Sequence, residues 1–207
     1  MDIKAISVGI LQSNCYIIWD EKVLDAIVVD PGDDPDRIIG VIEAKRLLVR
    51  YIVCTHAHFD HIGGVSVLKE KTGAKIVIHR DELEIYANAQ KLASSWGCRF
   101  TQPPAPDMFV NEGDDLRAGD LHFRVLATPG HSPGGICLYG HGILVSGDTI
   151  FAGSVGRTDL YGGDMEALKK SFAMIVSLPP ETRIFPGHGP SSTVENERNT
   201  NFFVYES

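Results

Sequence analysis

The chain has 207 residues, 43% of them hydrophobic and 22% charged, with a formal net charge of −8. That length suits one large α/β domain, and the acidic balance excludes a nucleic-acid partner, which needs clustered Lys and Arg. Met1-Asp2-Ile3-Lys4 lacks the charged start and long apolar stretch of a signal peptide, and no apolar run approaches the ~18 residues of a membrane span, so a reduced cytoplasm is the expected location.

Taken in order, apolar runs at residues 3–8, 15–19 and 26–29 predict strands. Asp34-Pro35 places a capping residue before a helix-starting proline, with Ile38, Ile39 and Ile42 on one face. A strand over 47–54 opens into Thr55-His56-Ala57-His58-Phe59-Asp60-His61, and a helical pattern follows Gly63-Gly64. After a strand at 75–78, Asp81-x-x-Glu84 predicts a capping box for a helix that turns Leu83, Tyr86, Ala87 and Trp96 inward and stops at Gly97. Residues 100–109, with Pro103, Pro104 and Pro106, predict a loop crossing between two halves. Further strands are expected at 121–126, 136–139, 143–145 and 183–185. Asp164 opens a helix with Leu168, Phe172, Ile175 and Val176 inward, closed by Pro179-Pro180, and Ser191, Ser192 and Thr193 end a loop or cap the final segment.

Cys15-Tyr16-Ile17-Ile18, followed by Ala26-Ile27-Val28-Val29-Asp30, is echoed by Ile136-Cys137-Leu138-Tyr139, followed by Ile143-Leu144-Val145-Ser146-Gly147-Asp148. Two similar β-rich halves with helices outside predict an α/β, four-layer αββα sandwich. Cys15, Cys54, Cys98 and Cys137 form no C-x-x-C pair and read as small hydrophobes.

The chemistry concentrates in residues 55–61. Side chains of an extended segment alternate, so His56, His58 and Asp60 point the same way while His61 turns aside. Four donors exceed what one tetrahedral ion with an open position takes from a single loop, which suggests two neighbouring metals. Three more Gly-rich turns at strand ends carry His131, Asp148 and His188.

This pattern, H-x-H-x-D-H followed by His, Asp and His, resembles the metallo-β-lactamase superfamily, and within it the glyoxalase II-like hydrolases. The resemblance runs from Gln12-Ser13-Asn14-Cys15-Tyr16 to Asn201-Phe202 and is sharpened by Gly156-Arg157-Thr158-Asp159 and Pro186-Gly187-His188-Gly189-Pro190. It is closest to short bacterial members, implying a single domain over 1–207 with no separate C-terminal substrate-binding domain. It implies His56, His58 and His131 on a first metal, Asp60, His61 and His188 on a second, and Asp148 and a hydroxide bridging both. Two zinc ions are the implied cofactors, and the donor set also suits iron or manganese. Asp148 in place of a bridging-position Cys separates the chain from several metallo-β-lactamases proper, and His58 in place of Glu separates it from the diiron flavoproteins.

Asp60 gains a second task, orienting the hydroxide and accepting its proton. Arg157 is the implied contact to a glutathione carboxylate, although Asp159 offers it a partner within its own loop. Asp159 stands where the larger enzymes place a glutathione-contacting tyrosine, and Tyr161 is the available replacement. Thr55 and Asp30 are candidates to steady imidazoles or loop backbone, with turn capping at Asp30-Pro31-Gly32 the plainer role. His79, His122 and His141 match no ligand position. The implied function is hydrolysis of a small-molecule thioester of the hydroxyacylglutathione type. A mononuclear iron persulfide dioxygenase, using His56 or His58 with His131 and Asp148, is the alternative. A non-catalytic metal-stabilised binding module is a third reading.

Overall fold

A computed structural model of the protein describes residues 1–205; Glu206 and Ser207, the end of the expected 1–207 domain, lie outside the described residues. The β-branched runs of the first half form β1 (Asp2–Val8), β2 (Ser13–Trp19), β3 (Asp25–Val29), β4 (Leu48–Val53), β5 (Lys75–His79) and β6 (Met108–Val110), side by side in that order in one sheet. β1 to β3 pair antiparallel, and β3 to β6 are parallel. Parallel neighbours need crossovers. These are supplied by α1 (Pro35–Lys45), by α2 (Phe59–Ile62) with α3 (Val65–Thr72), and by α4 (Leu83–Ser95).

The second half gives β7 (Asp115–Ala118), β8 (Leu121–Ala127), β9 (Ile136–Gly140) and β10 (Ile143–Gly147), then a small ribbon of β11 (Ile150–Phe151) and β12 (Ser154–Val155). α5 (Met165–Val176) leads to β13 (Arg183–Pro186), β14 (Ser192–Thr193) and α6 (Val194–Thr200). The second sheet runs β14-β13-β10-β9-β8-β7, with only β10 and β13 parallel. The internal echo is therefore topological: β2-β3-β4 and β9-β10-β13 are each an antiparallel pair followed by a parallel strand after a helix.

Period-two alternation sorts the apolar residues into three cores. Cys15, Ile17, Ala26 and Val28 face α1, α3 and α4. Tyr16, Ile18, Ile27 and Val29 face Phe123, Val125, Leu138 and Val145 across the two sheets. Leu126, Leu144 and Ile184 pack against Leu168 and Phe172 of α5. Three cores between four layers are the αββα sandwich. Among the described residues no helix is long and apolar enough to cross a membrane.

Several local expectations are corrected. Residues 100–109 are not wholly a connecting loop. Asp107 accepts hydrogen bonds from the Ile76 N–H (2.8 Å) and Lys69 Nζ (2.7 Å), which docks Met108–Val110 onto the sheet as β6. Asp81 does not cap α4; a 3₁₀ turn over Arg80–Glu82 comes first, and His79 Nδ1 accepts from the Asp81 N–H (3.2 Å). On α4 the inward face is Ile85, Tyr86, Ala89 and Ala93, while Ala87 and Trp96 are exposed. Asp34 makes no side-chain cap; its carboxylate turns to the Gly9 N–H (3.1 Å) and Arg37 (3.1 Å). Asp164 and Thr193 do cap α5 and α6, accepting from the Ala167 and Asn196 N–H groups.

Phe123 is fully buried between the sheets. Phe123→Ala should therefore cost about 3–5 kcal/mol by transfer and cavity terms. A urea titration should show a lower midpoint at unchanged slope; an unchanged midpoint would mean the sheets repack around the gap.

Candidate metal centre

All the donor-bearing turns leave strands at one end of the sandwich, where the two sheets are stitched together. The Ile136 N–H donates to Thr55 O (2.9 Å), the Asn14 N–H to Gly187 O (2.7 Å) and the Tyr16 hydroxyl to Pro186 O (2.7 Å). The turn after β4 brings His56, His58, Asp60 and His61; the turns after β8, β10 and β13 bring His131, Asp148 and His188.

Two triads result. Donor atoms of His56, His58 and His131 all lie within 4.8 Å of one another, and so do those of Asp60, His61 and His188. In the first, His131 Nε2 is 2.9 Å from His58 Nδ1. In the second, His61 Nε2 is 3.2 Å from His188 Nε2, and Asp60 Oδ2 is 3.3 Å from His188 Nε2. Asp148 reaches both: Oδ1 is 3.4 Å from His61 Nε2, and Oδ2 is 3.6 Å from His131 Nε2. His56 Nε2 and Asp148 Oδ1 are buried without any hydrogen-bond partner. Polar atoms are rarely left so, and two such acceptors aimed into one cluster of imidazoles and carboxylates fit cations. Gly187 makes room for this, because a Cβ there would fall on Asp148 Oδ1.

The triads are aimed by hydrogen bonds on their far sides. Asp30, buried at the end of β3 with φ 50°, accepts from the Thr55 N–H (2.7 Å) and the Thr55 hydroxyl (2.6 Å). Its Oδ2 also accepts from His61 Nδ1 (3.1 Å). With its proton given to Asp30, the Thr55 oxygen accepts from His56 Nδ1 (3.1 Å). His131 Nδ1 donates to Arg157 O (2.8 Å). For His56 and His131 the bond leaves Nε2 as the inward acceptor, and for His61 it turns Nε2 toward Asp60 and Asp148. Thr55 and Asp30 thus steady imidazoles, which corrects the plainer reading of Asp30 as a turn cap.

One residue was missed in the sequence. Glu82, fully buried, accepts from the Ala57 N–H (2.8 Å) and the Gly134 N–H (2.7 Å), clamping the two histidine-bearing turns together. Burial raises its pKa despite these bonds. Its partners lie 25 and 52 residues away, so no local pattern marks it.

Charge divides the two triads. Burial, with the neighbouring imidazoles, holds His56 well below the ordinary histidine value, and burial with His131 pulls His58 down to about 3. Burial also opposes charge on His61, but Asp148, Asp60 and Asp30 outweigh it and lift the group to about 10. His188 is raised against its burial by Asp60 and Asp148. Asp60 is held low against its burial by His61, His188 and His58.

The triads open into a cleft of about 410 Å³ with apolar walls that include Leu11, Leu92, Trp96, Phe151, Val155 and Leu160. Arg157 is on its rim, but its guanidinium is held by both Asp159 oxygens (2.6 Å each), the internal partner that the sequence offers. Tyr161 lies outside this cleft, exposed and hydrogen-bonded to Glu84. His79 caps a turn, His122 pairs with Asp115 (2.7 Å) and His141 accepts from the His122 N–H (3.0 Å), all away from the triads.

Glu82→Ala would leave two buried N–H groups unpaired, at about 1–3 kcal/mol each. The melting temperature should drop by roughly 5–15 °C, and metal content after dialysis should fall with it. Full metal retention at a lowered melting temperature would make Glu82 a packing residue without influence on the donors.

Residues 8–188 match the family model of the Metallo-beta-lactamase superfamily. A "Probable metallo-hydrolase YqgX" of Bacillus subtilis is 36% identical over 97% of this chain and 96% of its own. A "Hydroxyacylglutathione hydrolase GloC" of Haemophilus influenzae is 32% identical over 99% and 98%. Among solved structures, TTHA1623 in a di-iron-bound form superposes with TM-score 0.90 at 39% identity, covering 97% of this chain and 99% of that one. The BLEG-1 B3 metallo-beta-lactamase superposes with TM-score 0.91 at 34% identity, covering 98% and 99%. ETHE1 from Myxococcus xanthus gives 0.84 at 26% identity, covering 100% and 86%.

Proposed function

The chain belongs to the metallo-beta-lactamase superfamily, and from that premise we propose that it is a dinuclear metal-dependent hydrolase cleaving a thioester of the hydroxyacylglutathione type. The observation that carries this reading is the pair of triads with Asp148 between them, facing an open cleft. His56, His58 and His131 would hold one ion, Asp60, His61 and His188 the other, and Asp148 both. Zinc is the proposed metal, with iron or manganese suited to the same donors. When bound, two such ions supply a hydroxide at neutral pH and a Lewis acid for a carbonyl.

The chain's own residues do the rest. Asp60, whose Oδ2 lies 3.5 Å from His61 Nε2 and 3.3 Å from His188 Nε2, is placed to orient the attacking water and accept its proton. Asp30 and Thr55 keep His61 and His56 from rotating away. The apolar walls thin the water around the reacting carbonyl. The thiol departs as thiolate without a dedicated acid, since thiol pKa values are near 8.5. The proposed enzyme acts in the cytoplasm on a small-molecule thioester, with neither nucleic acid nor membrane as a partner.

The structural likeness to ETHE1 supports a second reading, a mononuclear iron persulfide dioxygenase using His56 or His58 with His131 and Asp148. The open cleft speaks against a purely structural metal module, because a structural site closes its coordination shell.

Metal analysis separates these readings. Protein purified without added metal should carry about two ions per chain and hydrolyse S-lactoylglutathione. About one iron per chain, with oxygen uptake on glutathione persulfide and no hydrolysis, would establish the dioxygenase instead. In the hydrolase, Asp60→Asn should lower kcat by roughly 10²–10⁴-fold, the usual worth of a general base, with less effect on KM. A variant that retains both metals and near-normal kcat would leave Asp60 as a ligand alone.

A further inference from the structure

A second cavity of about 400 Å³ runs along α4 and joins the metal cleft, with which it shares His58, Leu92 and Leu160. Its lining is ordered by the helix. Glu84, Asn88, Lys91 and Ser95 are spaced i, i+4, i+7 and i+11, so they form one polar stripe. Ile85 and Leu92 lie beside that stripe, and Leu160 and Tyr161 complete the lining. The groove is thus apolar, with a carboxylate, an amide and an ammonium set along it.

The cations of the two cavities differ in availability. Arg157 is engaged by both oxygens of Asp159. Lys91 has no ion pair or hydrogen bond among the described residues. A substrate carboxylate would have to displace Asp159 to reach Arg157, whereas Lys91 needs no exchange. Glu84 offers the opposite charge two helical turns away, about 10 Å along the axis. A short peptide arm extended at roughly 3.3–3.6 Å per residue covers that span with three residues.

We propose that the groove along α4 is the subsite for the thiol arm of the substrate, a short peptide-like arm bearing a carboxylate and an ammonium, and that Lys91 is the cation that meets its carboxylate. The inference rests on the thioesterase reading and adds the position of the leaving group to it. His58, at the mouth shared by both cavities, marks where the scissile bond passes from cleft to groove. The acyl group then lies against the apolar walls of the metal cleft, and the charged arm lies along α4. Glu84 selects for the zwitterionic arm over a polyphosphate one, because it repels a purely anionic ligand.

The test is binding to metal-replete protein by calorimetry, with S-methylglutathione as a non-hydrolysable peptide thioether and S-methyl-N-acetylcysteamine as its uncharged counterpart. Lys91 is an exposed helix residue, so Lys91→Gln and Lys91→Glu should fold, which far-ultraviolet circular dichroism checks. Lys91→Gln should weaken S-methylglutathione binding about two- to fivefold, as expected for an exposed charge pair. Lys91→Glu should weaken it on the order of tenfold, and neither should alter binding of the uncharged thioether. Added salt should weaken the wild type and leave Lys91→Gln nearly unaffected. Equal affinity in wild type and both variants would overturn the subsite, as would absence of S-methylglutathione binding to the wild type. Hydrolysis of S-lactoylglutathione by the wild type is scored separately. Its absence alongside Lys91-dependent binding would remove the thioesterase reading and leave the groove as a peptide-thiol site.

Discussion

One buried carboxylate organises the metal centre. Asp30 sits at the end of β3 and takes three hydrogen bonds from the neighbouring turn, two from Thr55 and one from His61. Through the Thr55 hydroxyl it also fixes the ring of His56. One residue from each triad is therefore aimed by the same side chain. A carboxylate buried this deeply needs such hydrogen bonds to replace water, and the positive φ of Asp30 is the backbone strain accepted to bring it there. Gly147 belongs to the same arrangement: with φ 49° it lets the next turn pass Thr55, where any Cβ would strike the hydroxyl.

Electrostatics explains why the cluster has two parts of different character. His56 and His58 are surrounded by other imidazoles and apolar walls, so burial keeps them neutral. His61 and His188 face Asp60 and Asp148, and the carboxylates win over burial. Without cations, protons on the second triad therefore balance the two aspartates. His56 Nε2 and Asp148 Oδ1, left without partners, would serve as donors to a divalent ion, which would supply the balancing charge in place of those protons. The net charge of −8 then understates how little negative potential the loaded site would present to an anionic substrate.

That His56, His58, Asp60, His61, His131, Asp148 and His188 come together was legible in the sequence, because they sit in short turns whose spacing and glycines carry the signal. The four-layer order was legible in the echo between the two β-rich halves, but the sorting into three cores was not, because β2 and β3 are apolar on both faces. What failed was whatever depends on contacts distant in sequence. Glu82 looked like an ordinary helix-start residue, yet it clamps turns 25 and 52 residues away. Asp81 and Asp34 had the right identity for caps, but His79 and Gly9 offered competing geometry. β6 was hidden among prolines because its docking depends on Asp107 reaching β5. In each case a tertiary partner outweighed a local propensity.

The donors come from both halves of the chain, four from the turn after β4 and three from turns of the second sheet. Asp30, His56 and His61 group within the first half, but the triads completed by His131 and His188 form only when the two sheets have closed on each other. The hydrogen bonds from Ile136 to Thr55, Asn14 to Gly187 and Gly134 to Glu82 cross the same seam. Ions held by donors from both sides would cross-link the halves, and their binding free energy would add to that of folding. The cleft's outer rim, by contrast, is made of Trp96, the 152–163 segment and the exposed face of α4, which contribute little to the three cores. The donor triads and the contacts that close the fold thus share the seam, while the walls of the cleft and groove sit on elements that can change without disturbing either. That division lets one donor set serve different substrates on the same sandwich.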